Sequence, residues 1–175
     1  MDLGRKNLSI KKSSVNDVQA IMKLVHQAQL YFKNNGIDQW QDGYPKDENI
    51  YSDIDKGHSY VLFQNNIMAT MYFAFEDDPC YKDIDGQWLT NNQAYAVIHR
   101  IVVDENYKGQ NLAKQLLDFA IEQCLQNHIY SIRIDTHHDN QSMQRFLTKN
   151  GFELCGQIML ESGAPRIAFE KILNK

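Results

Sequence analysis

The most informative segment of this chain is residues 97–121, which read VIHRIVVDENYKGQNLAKQLLDFAI. Residues 97–103 form a short segment rich in β-branched side chains, a pattern that predicts a buried strand. Beyond a tight turn, apolar residues at helical spacing predict a helix with one buried stripe: Leu112, Leu116, Ala120 and Cys124. The first amides of a helix lack internal partners, and the helix dipole leaves partial positive charge there. A strand, a compact turn and a helix N-terminus together predict a site for a phosphorylated ligand.

The glycines of this segment exclude two common phosphate-binding loops. A nucleotide P-loop needs two glycines five residues apart, followed by Lys and Ser or Thr. Gly109 is the only glycine between Gly86 and Gly151, so neither that loop nor the three-glycine dinucleotide loop fits. Taken alone, residues 108–113 also fit an ordinary turn between a strand and a helix.

A second segment narrows the interpretation. Residues 129–136 alternate as a strand, and residues 140–152 follow with the sequence NQSMQRFLTKNGF. The two segments together resemble the GCN5-related N-acetyltransferase (GNAT) family. Its pyrophosphate loop reads Arg or Gln, two residues, Gly, one residue, and Gly or Ala. Its second block shares the offsets of four residues found here: Asn140, Lys149, Gly151 and Phe152.

The loop departs from the family pattern at two positions. Lys108 stands where Arg or Gln is usual, and it keeps a cation beside the phosphate. Asn111 stands where Gly is usual, and Asn is the residue other than glycine that best tolerates a left-handed backbone. Elsewhere, residues 38–41 and 44–45 look similar to uncharacterised bacterial members of the family.

The resemblance implies the acyl-CoA N-acyltransferase fold, which is α/β or, in some schemes, α+β. We expect one domain over residues 1–175, with a mixed sheet of six to seven strands and about four helices. The pattern along the chain predicts the order β, α, α, β, β, β, α, β, α, β, β, with residues 77–92 as a polar excursion. The two central strands, residues 97–103 and 129–136, would splay apart.

The resemblance also implies acetyl-CoA as donor and assigns residues to it. Backbone groups of Ile101, Val102 and Val103 would pair with pantetheine, and one amide there could stabilise the oxyanion. Asn140 would hydrogen-bond pantetheine, or cap the next helix, and Phe146 would pack beside it. The pyrophosphate would lie against the loop and its helix: Lys108, Gly109, Gln110, Asn111, Leu112 and Ala113.

For the general base the sequence offers Asp135, His99 and Glu76. Asp135 lies near the end of a central strand, where it could instead form a surface pair with Arg133 on the same face. Glu76 ends an apolar strand, and its alternative is plain solvation.

His99 precedes the donor-binding stretch, and histidine titrates near neutrality. Alternating strand geometry predicts that it shares a face with Ile101 and Val103. That placement equally describes a core histidine with satisfied hydrogen bonds.

For the general acid, the family commonly uses a tyrosine, and Leu147 occupies the matching position. Leucine cannot donate a proton. The alternatives are Tyr107, His138 or water, and the thiolate of CoA is itself a tolerable leaving group.

The acceptor pocket is expected from residues 32–45 and 77–92, which concentrate aromatic side chains including Trp88. These aromatic residues could equally cover the edge of the core. The activity implied is transfer of the acetyl group to a primary amine of a small molecule or protein terminus, by direct attack in a ternary complex. The alternatives are an acyl-CoA-binding module without catalysis and an unrelated α/β nucleotide-binding domain.

Composition limits the remaining choices. The chain has 175 residues, 43% hydrophobic and 23% charged, with a net charge of −4, which argues against a broad nucleic-acid surface. The three cysteines lie far apart without a Cys-x-x-Cys pair, so no metal is expected. No signal-type or membrane-spanning run occurs, which predicts a cytoplasmic protein without membrane partners. A homodimer is suggested by the resemblance alone.

Overall fold

The computed structural model describes residues 7–174, and within them lie eight strands and four α-helices. The helices are α1 Val18–Asn34, α2 Asp47–Asp55, α3 Leu112–Gln126 and α4 Gln141–Lys149. The strands are β1 Ser9–Lys12, β2 Ser59–Phe63, β3 Ile67–Phe75, β4 Asp85–Gly86, β5 Ala96–Val103, β6 Ser131–Thr136, β7 Glu153–Met159 and β8 Pro165–Ile172. The predicted fold class is confirmed. The strand count of six to seven was too low, because β4 has two residues and no periodicity by which to detect it.

The sheet has the order β1-β2-β3-β5-β6-β8-β7-β4. Every neighbouring pair is antiparallel except β5 and β6. These two parallel strands are paired only at Ala96–Ile132 and Val97–Arg133, and then they separate. The predicted splay of the central strands is therefore confirmed, and it opens a gap in the middle of the sheet.

The two faces of the sheet are covered differently. On one face, α3 packs its predicted apolar stripe into the main core cluster, which also includes Leu147 of α4 and Met71 and Phe73 of β3. On the other face, α1 and α2 pack against β2 in a separate cluster around Val61. Strand β3 is buried along seven consecutive positions, as expected for an apolar central strand covered on both faces. Among residues 7–174, no helix combines the length and apolarity required to cross a bilayer.

The segment between β3 and β5 packs on the sheet through a buried ion pair. Arg133 Nε donates to Glu170 Oε1 at 2.7 Å, and both side chains are buried. The guanidinium lies between the rings of Trp88 and Tyr95, at 4.2 and 4.0 Å from their centroids. Thr90 donates its amide and its hydroxyl to the same carboxylate. The predicted polar excursion is therefore attached to β6 and β8 by a closed set of hydrogen bonds.

Strand β4 approaches β7 so closely that neither strand has room for a side chain at the contact. A Cβ atom added to Gly86 would lie 2.2 Å from the carbonyl oxygen of Cys155. One added to Gly156 would lie 2.2 Å from the carbonyl oxygen of Asp85. Both glycines also have positive φ, 134° and 155°, which disfavours L side chains. The two glycines thus permit β4 to pair along the outer edge of β7.

Replacing Glu170 with Gln tests the buried ion pair. Glu170→Gln leaves Arg133 charged and buried without its counter-ion, so we expect the free energy of unfolding to fall by about 3 kcal/mol. Urea denaturation monitored by tryptophan fluorescence measures this. The control is Asp118→Asn, which breaks an exposed pair with Lys114 and should cost less than about 0.5 kcal/mol. Equal, small losses for both variants would contradict a stabilising role of the buried pair.

Candidate active site

A cavity of about 1260 Å³ opens where β5 and β6 separate. It is lined by the β5 and β6 ends, the C-terminal part of α1, the α1–α2 loop, the start of α4 and the hairpin between β7 and β8. The cavity is continuous from the α3 end of the gap to the opposite face of the sheet. A long ligand and a second, smaller one could therefore meet inside it.

The turn before α3 has the backbone that the sequence predicts. Asn111 has φ 59° and ψ 29°, a left-handed conformation, and Gly109 has φ 82°. The first helical hydrogen bond runs from Gln115 N to Asn111 O at 3.1 Å. Among the described residues, the amides of 109–114 have no acceptor. The helix thus presents free N–H groups and its positive dipole end beside the cavity.

The predicted donor-binding residues divide into two groups. The cavity is lined by Ile101, Val102, Val103, Lys108, Ala113, Asn140 and Phe146. The remaining four, Gly109, Gln110, Asn111 and Leu112, form the turn and do not line the cavity; the Leu112 side chain lies in the core. Lys108 Nζ is 4.7 Å from the centroid of the Tyr31 ring, so its charge lies at the cavity wall.

Asn140 caps α4, as one of its two interpretations predicts. Its Oδ1 accepts from the Met143 amide at 3.2 Å, and its Nδ2 donates to Thr136 Oγ1 and Gln39 Oε1, each at 3.2 Å. The side chain is buried, and both hydrogens of its amide group are engaged. Gln39 comes from the α1–α2 loop, so this loop is tied to the start of α4 across the cavity.

None of the side chains proposed as general acid is suitably placed. Leu147 is buried in the main core cluster and does not line the cavity. The Tyr107 hydroxyl is 3.3 Å from Asn66 Oδ1, and neither Tyr107 nor the exposed His138 lines the cavity. Of the sequence-based alternatives, only water remains compatible with the structure.

A bulge in β5 changes the position of His99. Thr70 pairs with Val102 and Tyr72 with His99, so β5 contains one more residue than β3 over this stretch. Arg100 absorbs the excess with φ 49°. The predicted sharing of a face by His99, Ile101 and Val103 is wrong, because the extra residue reverses the alternation of side chains. His99 faces the rings of Tyr72 and Tyr81, whereas Ile101 and Val103 pack against the main core cluster.

Arg100 ties this bulge to α2 and to the α1–α2 loop. Its Nε and Nη2 donate to Asp53 Oδ2 and Oδ1 at 2.8 and 2.7 Å, and Nη1 donates to the Tyr44 hydroxyl. Its guanidinium lies over the Tyr72 ring, 4.8 Å from the centroid. These contacts of Arg100 were not predicted from the sequence. Their only sign in the sequence is an arginine inside a largely apolar strand.

His99 lies between two carboxylates. Its Nε2 is 3.0 Å from Asp78 Oδ2, and its Nδ1 is 3.9 Å from Asp135 Oδ2, beyond hydrogen-bond distance. Burial disfavours the Asp78 charge, but hydrogen bonds from His99 and the Cys80 amide outweigh it and hold the pKa of Asp78 below its ordinary value. When Nε2 donates its hydrogen to Asp78, the lone pair of the neutral ring lies on Nδ1, on the side of Asp135.

The other two base candidates also have tyrosine partners. Tyr81 Oη donates to Asp135 Oδ2 at 2.6 Å, and burial together with the Asp135 charge raises the Tyr81 pKa well above its ordinary value. The expected surface pair of Asp135 with Arg133 is wrong, because Arg133 binds Glu170 instead. Glu76 accepts a hydrogen bond from the Tyr72 hydroxyl, so it is not simply solvated.

The acceptor side of the cavity only partly matches the expected segments. Phe32, Trp40 and Tyr44 line it as successive edge-to-face rings, and Asp78 contributes from the second segment. Trp88 does not line it, since its ring packs on Arg133. The β7–β8 hairpin lines the cavity as well, with residues 160–162 and 164, and so does Arg166. These residues were missed because only the tertiary fold brings them to the gap.

One further cluster lies at the end of β6. His137, His138 and Asp139 place ligand atoms within 4.8 Å of one another. His137 Nδ1 already accepts the Asp139 amide at 3.0 Å, while His138 and Asp139 are exposed. The cluster therefore resembles a closed turn at the surface and supports no metal assignment.

Comparison with known proteins gives the family. A model of the acetyltransferase (GNAT) family matches residues 22–152. The chain belongs to this family. The GNAT assignment agrees with a solved GNAT acetyltransferase from Streptococcus agalactiae, which is 32% identical over 99% of both chains, with a TM-score of 0.87. No curated protein sequence matches significantly.

More distant GNAT structures share the fold. An acetyltransferase of the family from Listeria monocytogenes is 20% identical, covering 95% of each chain, with a TM-score of 0.73. The PaiA N-acetyltransferase from Thermoplasma acidophilum, solved in complex with coenzyme A, is 15% identical with a TM-score of 0.70, over 95% of this chain and 99% of that one. Membership of the GNAT family implies an acyl-CoA-dependent acyltransferase activity.

The hydrogen bond between Asp78 and His99 gives this GNAT protein a defined acid sensitivity. Because the folded-state pKa of Asp78 lies below its ordinary value of 3.8, its ionisation stabilises the fold above that pH, and this stability is lost as the pH falls through the folded-state value. We expect Asp78→Asn to cost about 1.5 kcal/mol at pH 6 and progressively less below about pH 4. Urea unfolding between pH 3 and 6 measures the difference. Asp77→Asn, at the exposed neighbouring carboxylate, is the control; a pH-independent loss in Asp78→Asn would argue against the ionised pair.

Proposed function

We propose that this chain transfers the acetyl group of acetyl-CoA to a primary amine by direct attack within a ternary complex. The supporting observation is the continuous cavity, which runs from Lys108 and Ala113, on either side of the α3 turn, through the gap between β5 and β6 to His99. Such a passage suits a donor with a diphosphate at one end and a thioester at the other.

The donor would follow the gap. Its pyrophosphate would accept hydrogen bonds from the free amides of the α3 turn, with Lys108 as a nearby cation. Beyond Val97, β5 pairs with β3 on one side and has no strand partner on the other among residues 7–174. Pantetheine carries amide groups, and these would pair with the free edge at Ile101, Val102 and Val103. The thioester would then lie where the strands meet, beside His99.

Of the three base candidates, His99 fits the geometry best. Asp78 is hydrogen-bonded to Nε2 of His99, so that Nδ1 of the same ring can take a proton from the acceptor ammonium. Asp135 is occupied by the Tyr81 hydroxyl and lies 3.9 Å from His99, where its charge would hold the ammonium before proton transfer. Glu76 stays a third candidate at the cavity wall.

The neutral amine would then attack the thioester carbonyl. A new C–N bond forms, the C–S bond breaks, and coenzyme A leaves as its thiolate. An amide of the β5 edge would stabilise the oxyanion of the tetrahedral intermediate. Because Leu147 stands where the family commonly has a tyrosine, the thiolate would take its proton from water or from the imidazolium of His99. The second proton, which the attacking nitrogen loses as it becomes an amide, would pass to solvent or to the neutral His99 imidazole.

A covalent route through cysteine has less support. None of Cys80, Cys124 and Cys155 lines the cavity. Burial raises the pKa of Cys124 to about 12, which leaves it a thiol at neutral pH. Direct transfer between two bound substrates is therefore the simpler course.

A second candidate function rests on Leu147. Its burial in the core leaves the usual acid position without a donor, as expected of an acyl-CoA-binding module that senses its ligand without turnover. The two functions differ in one measurement, the release of free thiol in the presence of amines.

Replacing Gly109 with Glu tests the proposed donor site. Gly109→Glu places negative charge at the proposed pyrophosphate, so we expect coenzyme A to bind at least about tenfold more weakly by calorimetry. A side chain at φ 82° also strains the backbone, so some loss of stability accompanies the change in this variant and in its control. Gly36→Glu is the matched control, because Gly36 also has positive φ and open space but is not part of the turn before α3. Unchanged affinity in Gly109→Glu, or tighter binding of ATP or NAD than of coenzyme A by the native protein, would refute the donor assignment.

The base is tested by thiol release from acetyl-CoA with a panel of primary amines. We expect His99→Gln to lower kcat by about 10²–10⁴-fold near neutral pH and to leave the affinity for coenzyme A unchanged. Asp135→Asn should lower kcat less, by about tenfold. His26→Gln, at an exposed position on α1 outside the cavity, should match the native protein. Binding of coenzyme A without turnover of any amine would favour the sensor, and full activity of His99→Gln would eliminate His99 as base.

A further inference from the structure

Arg166 is a buried charge on the acceptor side of the cavity. It lies near the start of β8, lines the cavity and is 7% exposed. Among the described residues its guanidinium makes one hydrogen bond, from Nη1 to the Pro165 carbonyl at 2.8 Å. No carboxylate among residues 7–174 lies within 4.0 Å of it.

An arginine in this position is unusual for a folded protein. Buried charges are ordinarily paired, because removing them from water is costly, and a guanidinium offers five donors in a planar fork. The other two arginines beside the site follow that rule: Arg100 binds Asp53 and Arg133 binds Glu170. The Arg166 guanidinium therefore has unused hydrogen-bond donors at the wall of the cavity. No carboxylate of residues 7–174 is paired with it.

The sheet register places Arg166 near the proposed base. Asp135 pairs with Ala168, so Arg166 lies two residues further along β8 on the same face of the sheet. Diagonal neighbours of this kind are roughly 7–8 Å apart. The charges of Asp135, Asp38 and Asp42 favour the charged guanidinium, yet burial outweighs them and lowers the pKa of Arg166.

From this arrangement we infer that the acceptor is a small zwitterion, an amine whose carboxylate binds to Arg166 while its ammonium lies beside Asp135 and His99. The inference rests on the proposed function and narrows its substrate to compounds of amino-acid type. Since Arg166 and Asp135 are diagonal neighbours on one face of the sheet, we expect the amine and the carboxylate to be a few bonds apart. A peptide, whose terminal groups are far apart, would fit poorly.

The donor's phosphates are a less suitable anion for Arg166. The free amides of the α3 turn lie on the face covered by α3 and α4, whereas Arg166 shares its face with Asp135 and Ala168. Strand β6 lies between β8 and the gap that the donor would follow. Arg166 thus belongs with the acceptor.

The experiment compares free amino acids with their α-amides in the thiol-release assay. We expect the native protein to acetylate at least one free amino acid with kcat/KM at least about tenfold higher than its amide, mainly through KM. Arg166→Met should lower kcat/KM for the acid by about tenfold or more and change that for the amide by less than about twofold. Arg166→Lys should restore part of the preference, and Arg145→Met, at an exposed position on α4, should have no effect.

Two further measurements separate this role from a structural one. Arg166→Met should retain the native affinity for coenzyme A and the native thermal stability, because the side chain it replaces has no anionic partner. Equal losses for acid and amide, weakened binding of coenzyme A, or a preference for peptides over amino acids would overturn the inference.

A failure of the proposed function would look different, since coenzyme A would bind and no amine would be acetylated. The carboxylate site is then tested by binding alone, using N-acetyl amino acids and their amides with the coenzyme A complex. Preferential binding of the acids that disappears in Arg166→Met would support the site without catalysis. Equal binding of both would reject it.

Discussion

The rest of the site depends on the early separation of β5 and β6. Parallel strands normally continue their evenly spaced hydrogen bonds, but these two stop after Ala96–Ile132 and Val97–Arg133. The bulge at Arg100 follows directly, and its ion pair with Asp53 pulls the strand toward α2. The backbone groups released in this way face a cavity, where a ligand with amide groups can pair with them. Without the separation, the same residues would form a closed sheet with no passage through it.

The distribution of buried polar groups follows from that opening. The face under α3 and α4 is apolar, so packing holds α3 and the turn before it in place. The opposite face carries paired and hydrogen-bonded charges, among them the buried Asp53 and Glu170 and the partly buried Asp78. Buried charges ordinarily need partners, so hydrogen-bonded networks lie between the apolar clusters of this face, and Arg166 is the exception without an anionic partner among residues 7–174. The apolar face thus holds the helices in place, and the opposite face carries the side chains proposed to act in catalysis.

A structural feature could be predicted from the sequence when it depends only on residues close together in the chain. The α3 stripe, the left-handed Asn111 and the cap at Asn140 were predictable, because each rests on spacing or conformational preference within a few residues. The bulge at Arg100 was not, since one charged residue in an apolar strand does not specify which residue is extra. Arg166 was missed for another reason: the β6–β8 register decides its neighbours, and no pattern near position 166 encodes that register.

The close contact of Gly86 with Gly156 also bears on assembly. Sheets with free outer strands tend to recruit a strand from another molecule, and β7 would be such a template. The two-residue β4 already pairs with part of that edge, at Gly156 and Gln157, and the backbones of the two glycines approach too closely for a side chain to fit between them. The short strand therefore shields the middle of β7 from pairing with a strand of another copy of the chain.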